Sequence, residues 1–313
     1  MNVVRGVPGD WDLDARPRAV SIGVYDGVHR GHRHVLERLR NRAVEFGGLE
    51  SAVVTFDPHP LAVIDPGSAP RMLTTVEHRI ELLGDAGVDL VAVLEFVAPI
   101  RDLSPASFAE RVIDRALSAR VVVVGEDFRF GKDRTGHVGL LREIGSEHGF
   151  ETEIVPLVGG AGPVSSTEIR RMVAAGDVAA AAEALGRPHE VRGRVVPGDG
   201  RGRTIGVPTA NLAVPDGLAM PGSGVYAVLA GVAGEARAPG VANVGVRPTF
   251  GGGAETVEVH LLDLDRDLYG HELRVAFVER IRDERRFPGV DELVSQIGRD
   301  IDRARRLLGG SSR

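Results

Sequence analysis

Four valines stand in succession at Val121, Val122, Val123 and Val124. A strand with one wet face alternates apolar and polar residues. An unbroken β-branched run instead calls for a strand covered on both sides, the situation of a parallel sheet wrapped by helices. The flanking sequence agrees. Further strand-like runs at 19–24, 51–56, 89–96 and 153–157 alternate with helical patterns, which implies βαβ crossovers. Val35, Leu36, Leu39 and Ala43 share a helical face, as do Leu140, Leu141 and Ile144. Thr74 with Glu77 reads as a capping box ahead of Ile80, Leu82 and Leu83. Ser104-Pro105 reads as an N-cap followed by a first-turn proline.

Past Gly186-Arg187-Pro188 the texture changes. Residues 166–185 are helical with a break at Gly176-Asp177; beyond them, β-like runs at 191–196, 224–229, 241–246, 257–262 and 273–281 are separated by glycine turns. That is the pattern of a small antiparallel barrel or sandwich. One closing helix places Val290, Leu293, Val294, Ile297, Ile301, Ala304 and Leu308 on one face, and 309–313 reads as a loose tail. At roughly 100–200 residues per domain, 313 residues suit two domains, expected at 1–186 and 187–313. The expected fold class is α/β followed by β.

The charge balance limits the partners. Lys and Arg total 38 against 44 Asp and Glu, a formal charge of −6, whereas a general polyanion binder is basic. Nucleic-acid and anionic-membrane binding are disfavoured, and any phosphate site must be local. The absence of cysteine excludes disulfides, thiolate metal sites and a thiol nucleophile. No run of about 18 apolar residues occurs, and 1–18, with Asp10, Asp12 and Asp14, lacks the apolar core of a signal peptide. The expectation is a soluble cytoplasmic protein, a monomer or weak homo-oligomer acting on small molecules.

Chemistry concentrates at strand ends. Gly23-Val24-Tyr25-Asp26-Gly27-Val28-His29-Arg30-Gly31-His32 follows the first strand and opens a helix. The free N–H groups of a helix N-terminus, close backbone access at glycine and imidazole donors together suit attack at a nucleotide α-phosphate. A zinc site on His29, His32 and His34, or ordinary surface histidines, are the other readings. Thr55-Phe56-Asp57-Pro58-His59-Pro60 and Gly125-Glu126-Asp127-Phe128-Arg129-Phe130-Gly131 end two further strands, on the edge where open α/β sheets bind ligands. The first is otherwise a rigid turn. The phenylalanines of the second either stack on a flat ring or anchor the loop. Ser166, Thr167 and Arg170 open a helix whose hydroxyls and N–H groups can hold phosphate, with Arg170 as a clamp. A plain cap explains the hydroxyls but not the arginine.

In the second half, 198–206 is rich in glycine and arginine. Gly200-Arg201-Gly202 lies among β signals rather than in a βαβ unit, so it is discounted as a dinucleotide fingerprint. Within Val207-Pro208-Thr209-Ala210-Asn211, Thr209 can ligate Mg²⁺ through its hydroxyl with Asn211 in support, or the segment is simply a turn. Glu258 alternates with Val257 and Val259. If its face lines a cavity it is a candidate general base; if it faces water it is one more solvated carboxylate.

Together these segments resemble the bacterial bifunctional riboflavin kinase/FMN adenylyltransferase family, also called FAD synthetase, from about Val20 to Leu308. Arg-Pro-Thr-Phe-Gly at 247–251, Glu-Val-His-Leu-Leu-Asp at 258–263, Leu-Tyr-Gly at 268–270 and Ile-Arg-Asp-Glu at 281–284 extend the likeness. The resemblance implies a Rossmann-like nucleotidyltransferase domain followed by a small antiparallel β-barrel with a terminal helix. It implies two reactions. ATP with Mg²⁺ phosphorylates riboflavin to FMN, and FMN joins AMP from ATP to give FAD and pyrophosphate. By motif match, His29 and His32 bind the ATP phosphates, helped by Ser166, Thr167 and Arg170. Gly23, Tyr25, Asp26, Gly27 and Phe56 border the nucleotide or flavin, and Asp127 and Phe128 sit near the flavin or its phosphate. In the kinase, Thr209 matches the metal and phosphate ligand, flanked by Pro208 and with Asn211 its companion. Glu258 matches the base, and Arg282 and Asp283 a mobile loop near flavin. Two positions depart from the family pattern: Tyr25 and Val207 each stand where it has Phe.

Overall fold

The computed structural model describes residues 1–156, 164–198, 202, 205–247, 254–264 and 266–309. Leu157, Gly200, Arg201, residues 248–251 and the tail from 310 lie outside the described residues. Contacts divide the chain into two compact units, Met1–Pro70 with Thr75–Ser165 and Arg71–Thr74 with Ser166–Arg313.

The first unit runs β1 (Asn2–Gly6), β2 (Arg18–Ile22), α1 (Arg30–Glu45), β3 (Glu50–Asp57), α2 (Pro60–Ile64), α3 (Val76–Asp85), β4 (Leu90–Glu95), α4 (Ala98–Arg101), α5 (Pro105–Phe108) and β5 (Ala119–Gly125). A hairpin of β6 (Arg129–Phe130) and β7 (Gly136–His137) then leads to α6 (Val138–His148) and β8 (Glu151–Val155). Six strands pair in parallel in the order β1-β4-β3-β2-β5-β8. The valine run divides between the two faces. Val122 and Val124 pack with Phe108, Ile113 and Leu141, and Val121 and Val123 with Leu36, Leu39 and Leu83. β1 leaves little trace in the sequence because it is an edge strand, paired with β4 alone and exposed at Val3. The cap of α3 is Thr75 rather than Thr74: its side chain accepts from the His78 amide, while Thr74 is buried. The sheet order reverses direction at β2, with β3 and β4 on one side and β5 and β8 on the other. Such a switch point opens a crevice at the carboxyl ends of the strands, and the loops after β2 and β5 both leave from it.

The second unit continues with α7 (Ser166–Ala175), α8 (Val178–Leu185), β9 (His189–Val196), β10 (Ala210–Ala213), β11 (Gly224–Val232), β12 (Ala238–Arg247), β13 (Ala254–Leu261), β14 (Glu272–Arg282) and α9 (Val290–Gly309). Its strands close into an antiparallel barrel in the order β10-β13-β12-β11-β14-β9. The compact units meet at 165/166, and Val178 of α8 packs into the barrel core with Val191 and Leu273. The expected apolar face of α9 is split. Ala304 and Leu308 pack on Val225 and Ala227, whereas Val290 and Val294 are exposed.

Candidate active sites

The loop after β2 is a tight turn. Tyr25 (φ 53°), Gly27 (φ 79°) and Val28 (φ 37°) all enter the left-handed region. Gly27 does so freely; for an aromatic and a β-branched residue the conformation costs about 1–3 kcal/mol each. Burial of Tyr25, Asp26 and Val28 holds it in place. The Tyr25 hydroxyl donates to Ser21 Oγ at 2.6 Å, and Ser21 donates onward to the Val123 carbonyl. The turn is thereby tied across β2 and β5 at the switch point. Gly23 lies under the tyrosine ring, where a Cβ would stand 3.1 Å from Cε2. On the other side, Thr55 Oγ1 donates to the Val24 carbonyl at 2.8 Å and accepts from the buried Arg79 guanidinium at 3.0 Å.

Burial pushes the Tyr25 phenol up to about 12. Its contribution to stability is intact below the unfolded value of roughly 10 and is lost as pH rises through the folded value. Ser21→Ala strands the phenol and the Val123 carbonyl in an apolar setting. The expected result is an unfolding free energy lower by about 1–3 kcal/mol at neutral pH, read from urea midpoints. An unchanged midpoint would detach the turn from β5.

His29 is the N-cap of α1, its Nδ1 accepting from the His32 amide at 3.3 Å. An accepting Nδ1 places the proton of the neutral ring on Nε2, so Nε2–H is the donor edge. The His29 and His32 rings stack, centroids 3.6 Å apart and 19° between planes, and the Tyr25 ring packs on His32 at 4.9 Å. The paired imidazoles stand at the positive end of a 16-residue helix, an arrangement chemically suited to an anion. Among the described residues no group of three or more His, Cys, Asp or Glu could hold a metal ion, which leaves the three-histidine zinc reading without support.

The loops after β3, β4 and β5 leave the same sheet edge. Phe56 and Phe96 meet edge to face at 5.8 Å, and Phe128 stacks on Phe130 at 5.5 Å. Phe130 is buried and anchors its loop. Phe56, Phe96 and Phe128 are half-buried on the same core, and Asp127 is exposed. Ser166, Thr167 and Arg170 stand in the opening turns of α7, in the second unit.

In the second unit, strand register does the gathering. Asn211 pairs with Glu258, Glu258 with Asn243, Asn243 with Val225, and Val225 with Arg282. Residues of one such row share a face. Here it is the outer face, since Val257 and Val259 point into the barrel core. All five line a cavity of about 520 Å³, joined by Val207 and Thr209 from the approach to β10 and by Leu293, Ile297 and Asp300 from α9. Glu258 is therefore a cavity residue. Arg282 is anchored to α9: Nη2 and Nε donate to the buried Asp300 carboxylate at 2.8 and 3.0 Å. Gln296 donates to the same carboxylate at 2.8 Å. The Arg282 and Arg285 guanidiniums lie 5.6 and 4.6 Å from the Phe287 ring centre. Asp283 instead faces Arg280 at 3.1 Å, outside the cavity wall. Pro208 also stands outside that wall, but its carbonyl accepts from His260 Nδ1 at 2.7 Å.

Comparison with known proteins assigns this architecture. A riboflavin kinase family model matches residues 185–308 and an FAD synthetase model residues 12–168. The bifunctional riboflavin kinase/FMN adenylyltransferase of Escherichia coli (strain K12) is 39% identical over 310 residues, 99% of this chain and 98% of the relative. The protein of that description from Pseudomonas fluorescens is 40% identical over 314 residues, 100% and 99% of the two chains. The chain belongs to the bifunctional riboflavin kinase/FMN adenylyltransferase family. A Streptococcus pneumoniae crystal structure described as a macrolide-efflux protein shares its fold, with a TM-score of 0.88 and 32% identity over 97% of this chain and 99% of that one. The efflux description belongs to that protein. Among the described residues here, no helix is long and apolar enough to cross a membrane. The FAD synthetase match encloses the histidine turn and the edge aromatics, and the riboflavin kinase match encloses the cavity. Sequence reasoning missed Phe96, Asn243, Phe287 and Asp300. Barrel register brings Asn243 to the cavity, the connection from β14 to α9 brings Phe287, and α9 brings Asp300.

Proposed function

We propose that the chain makes FMN from riboflavin and ATP in its barrel region, and FAD and pyrophosphate from FMN and ATP in its sheet region. The observation that carries this reading is the grouping of Thr209, Asn211 and Glu258 on one cavity of the riboflavin kinase region, separate in sequence from the stacked His29 and His32. The chain works in the cytoplasm as a monomer or weak homo-oligomer, on small molecules; its charge of −6 fits neither nucleic acid nor an anionic membrane.

In the kinase step, Glu258 accepts the proton of the ribityl 5′-hydroxyl as that oxygen bonds to the γ-phosphorus and ADP leaves. Mg²⁺ would be held at the Thr209 hydroxyl with the Asn211 amide oxygen beside it, both on the cavity wall, which leaves the Glu258 carboxylate to take the proton. The hydroxyl and the amide are hard oxygen donors, and the ion is usually held by one or two protein groups together with phosphates rather than by an all-protein cage. When bound it neutralises charge on the transferring phosphoryl group. Phe287, beside the Arg282 and Arg285 guanidiniums, adds apolar ring surface for the flavin, and Leu293 and Ile297 exclude water beside it.

In the adenylyl step, a phosphate oxygen of FMN bonds to the α-phosphorus and pyrophosphate leaves. The His29 Nε2–H, the His32 ring and the N-terminus of α1 stabilise the charge that builds there. No covalent enzyme intermediate is required, so positioning and charge stabilisation carry the reaction. Phe56, Phe96 and Phe128 supply apolar contact for the flavin, with Asp127 at its border, and Gly23, Asp26 and Gly27 shape the turn toward the nucleotide. Ser166, Thr167 and Arg170 are assigned to phosphate on motif resemblance, and Asp283 to the rim of the kinase pocket likewise.

Incubation with riboflavin, ATP and Mg²⁺ tests the whole reading. FMN then FAD are expected by chromatography, and FAD alone when FMN replaces riboflavin; a folded chain that forms neither ends it. The departure at Val207 has its own test. Val207 lines the cavity, so Val207→Phe restores a ring to that wall. The expected result is a kinase KM for ATP lowered roughly threefold to tenfold by the added apolar contact. An unchanged KM would mean that neighbouring side chains already fill the space.

A further inference from the structure

We infer that His260 is a positioning residue for the kinase reaction, its ring clamping the segment that presents Thr209 to the nucleotide; the inference rests on the kinase reading above. His260 follows Glu258 by two residues on β13, so the two share the outward face, and both line the cavity. On β12 its register partner is Val241, which offers no polar side chain. On the β10 side, the pairing of Ala210 with Val259 sets Thr209 beside His260.

Thr209 precedes the first residue of β10 and stands outside the strand ladder. Pro208 has no N–H with which to join it, and the Val207 amide turns away to the Gly202 carbonyl at 2.8 Å. The backbone that carries Thr209 is therefore held at Pro208 by a side chain: the His260 Nδ1–Pro208 carbonyl bond of 2.7 Å. A carbonyl only accepts, so Nδ1 bears the proton and, in the neutral ring, Nε2 is left as an acceptor. An acceptor edge does not bind phosphate, which makes the ring a clamp rather than a ligand. The leverage is covalent. The Pro208 carbonyl shares one rigid plane with the nitrogen and Cα of Thr209, so fixing that oxygen fixes the point on the backbone from which the Thr209 side chain departs.

The test compares His260→Ala, His260→Asn and His260→Gln in the full chain. Asparagine keeps an N–H donor at the δ position, where Nδ1 sits; glutamine moves it one atom outward. His260→Ala and His260→Gln are expected to raise the kinase KM for MgATP about tenfold, the effect of one lost hydrogen bond. The KM for riboflavin should stay within about twofold. His260→Asn should restore the MgATP value to within about twofold. FAD formation from supplied FMN and the melting temperature report folding in each variant. Imidazole ¹⁵N spectra of the unmodified chain at mildly alkaline pH should show an Nδ1-protonated ring whose signal vanishes in His260→Ala. A chain that forms FMN while His260→Asn matches His260→Ala, or that lacks the Nδ1-protonated signal, overturns the clamp alone. An unmodified chain that forms no FMN overturns the kinase reading beneath it.

Discussion

Glu258→Gln is expected to lower the rate of riboflavin phosphorylation by about 10²–10⁴-fold, the range for removing a general base, and to leave FAD formation from supplied FMN unchanged. The isosteric amide keeps the volume and polarity of the carboxylate but cannot take the ribityl proton. Nothing in the barrel core depends on this side chain. Val257 and Val259 hold β13 from the inner face, while Glu258 is half-buried on the outer one between Asn211 and Asn243. The melting temperature of the variant checks that β13 stays folded. Both rates are read by separating FMN and FAD after single-substrate incubations. FMN formation within about threefold of the unmodified chain would remove Glu258 from the chemistry. Loss of both activities at an unchanged melting temperature would show that both reactions depend on Glu258.

How much of this could be read from residues alone depended on where each element hides its side chains. The sheet was legible because its central strands are covered on both faces, so Val121 to Val124 leave an unbroken apolar run. β1 was not, because an edge strand with an exposed Val3 needs no such run. β10 carries no strand signal for a related reason. Of its four residues only Leu212 is buried, and Pro208 just ahead of it signals a break. The histidine turn was legible because helix-start chemistry is local: His29, Gly31 and His32 are near neighbours. The kinase cavity was only partly so. Glu258 showed its alternation but not which medium its face meets; the row across the barrel strands decides that. Asp300 gave no sign, since its partner Arg282 lies in another element. The first half of α9 misled the eye because the same apolar spacing serves a core and a cavity wall. Leu293 and Ile297 line the cavity, and Val290 and Val294 stay exposed.

His32→Ala is expected to reverse the selectivity of the Glu258 variant. FAD formation falls about 10²–10³-fold, the usual loss when a donor to developing charge is removed, while FMN formation from riboflavin persists. His32 is the better choice of the stacked pair. His29 caps α1 through its ring, so its removal mixes catalysis with a helix-stability loss of about 1 kcal/mol. His32 contributes its backbone N–H to that cap, and alanine keeps the amide, so the cap survives and the imidazole alone is lost. The ring also has two neighbours that the substitution leaves in place, His29 at 3.6 Å and Tyr25 at 4.9 Å. The Tyr25–Ser21 bond on the far side of the tyrosine still ties the turn to β5. A preserved melting temperature with a collapsed adenylyl rate therefore assigns the loss to the reaction. If kcat falls while the KM for ATP is steady, the ring acts on the transition state; if only KM rises, it holds ATP equally before and during transfer. Undiminished FAD formation in His32→Ala would reduce the pair to a helix cap and return the α-phosphate to other groups.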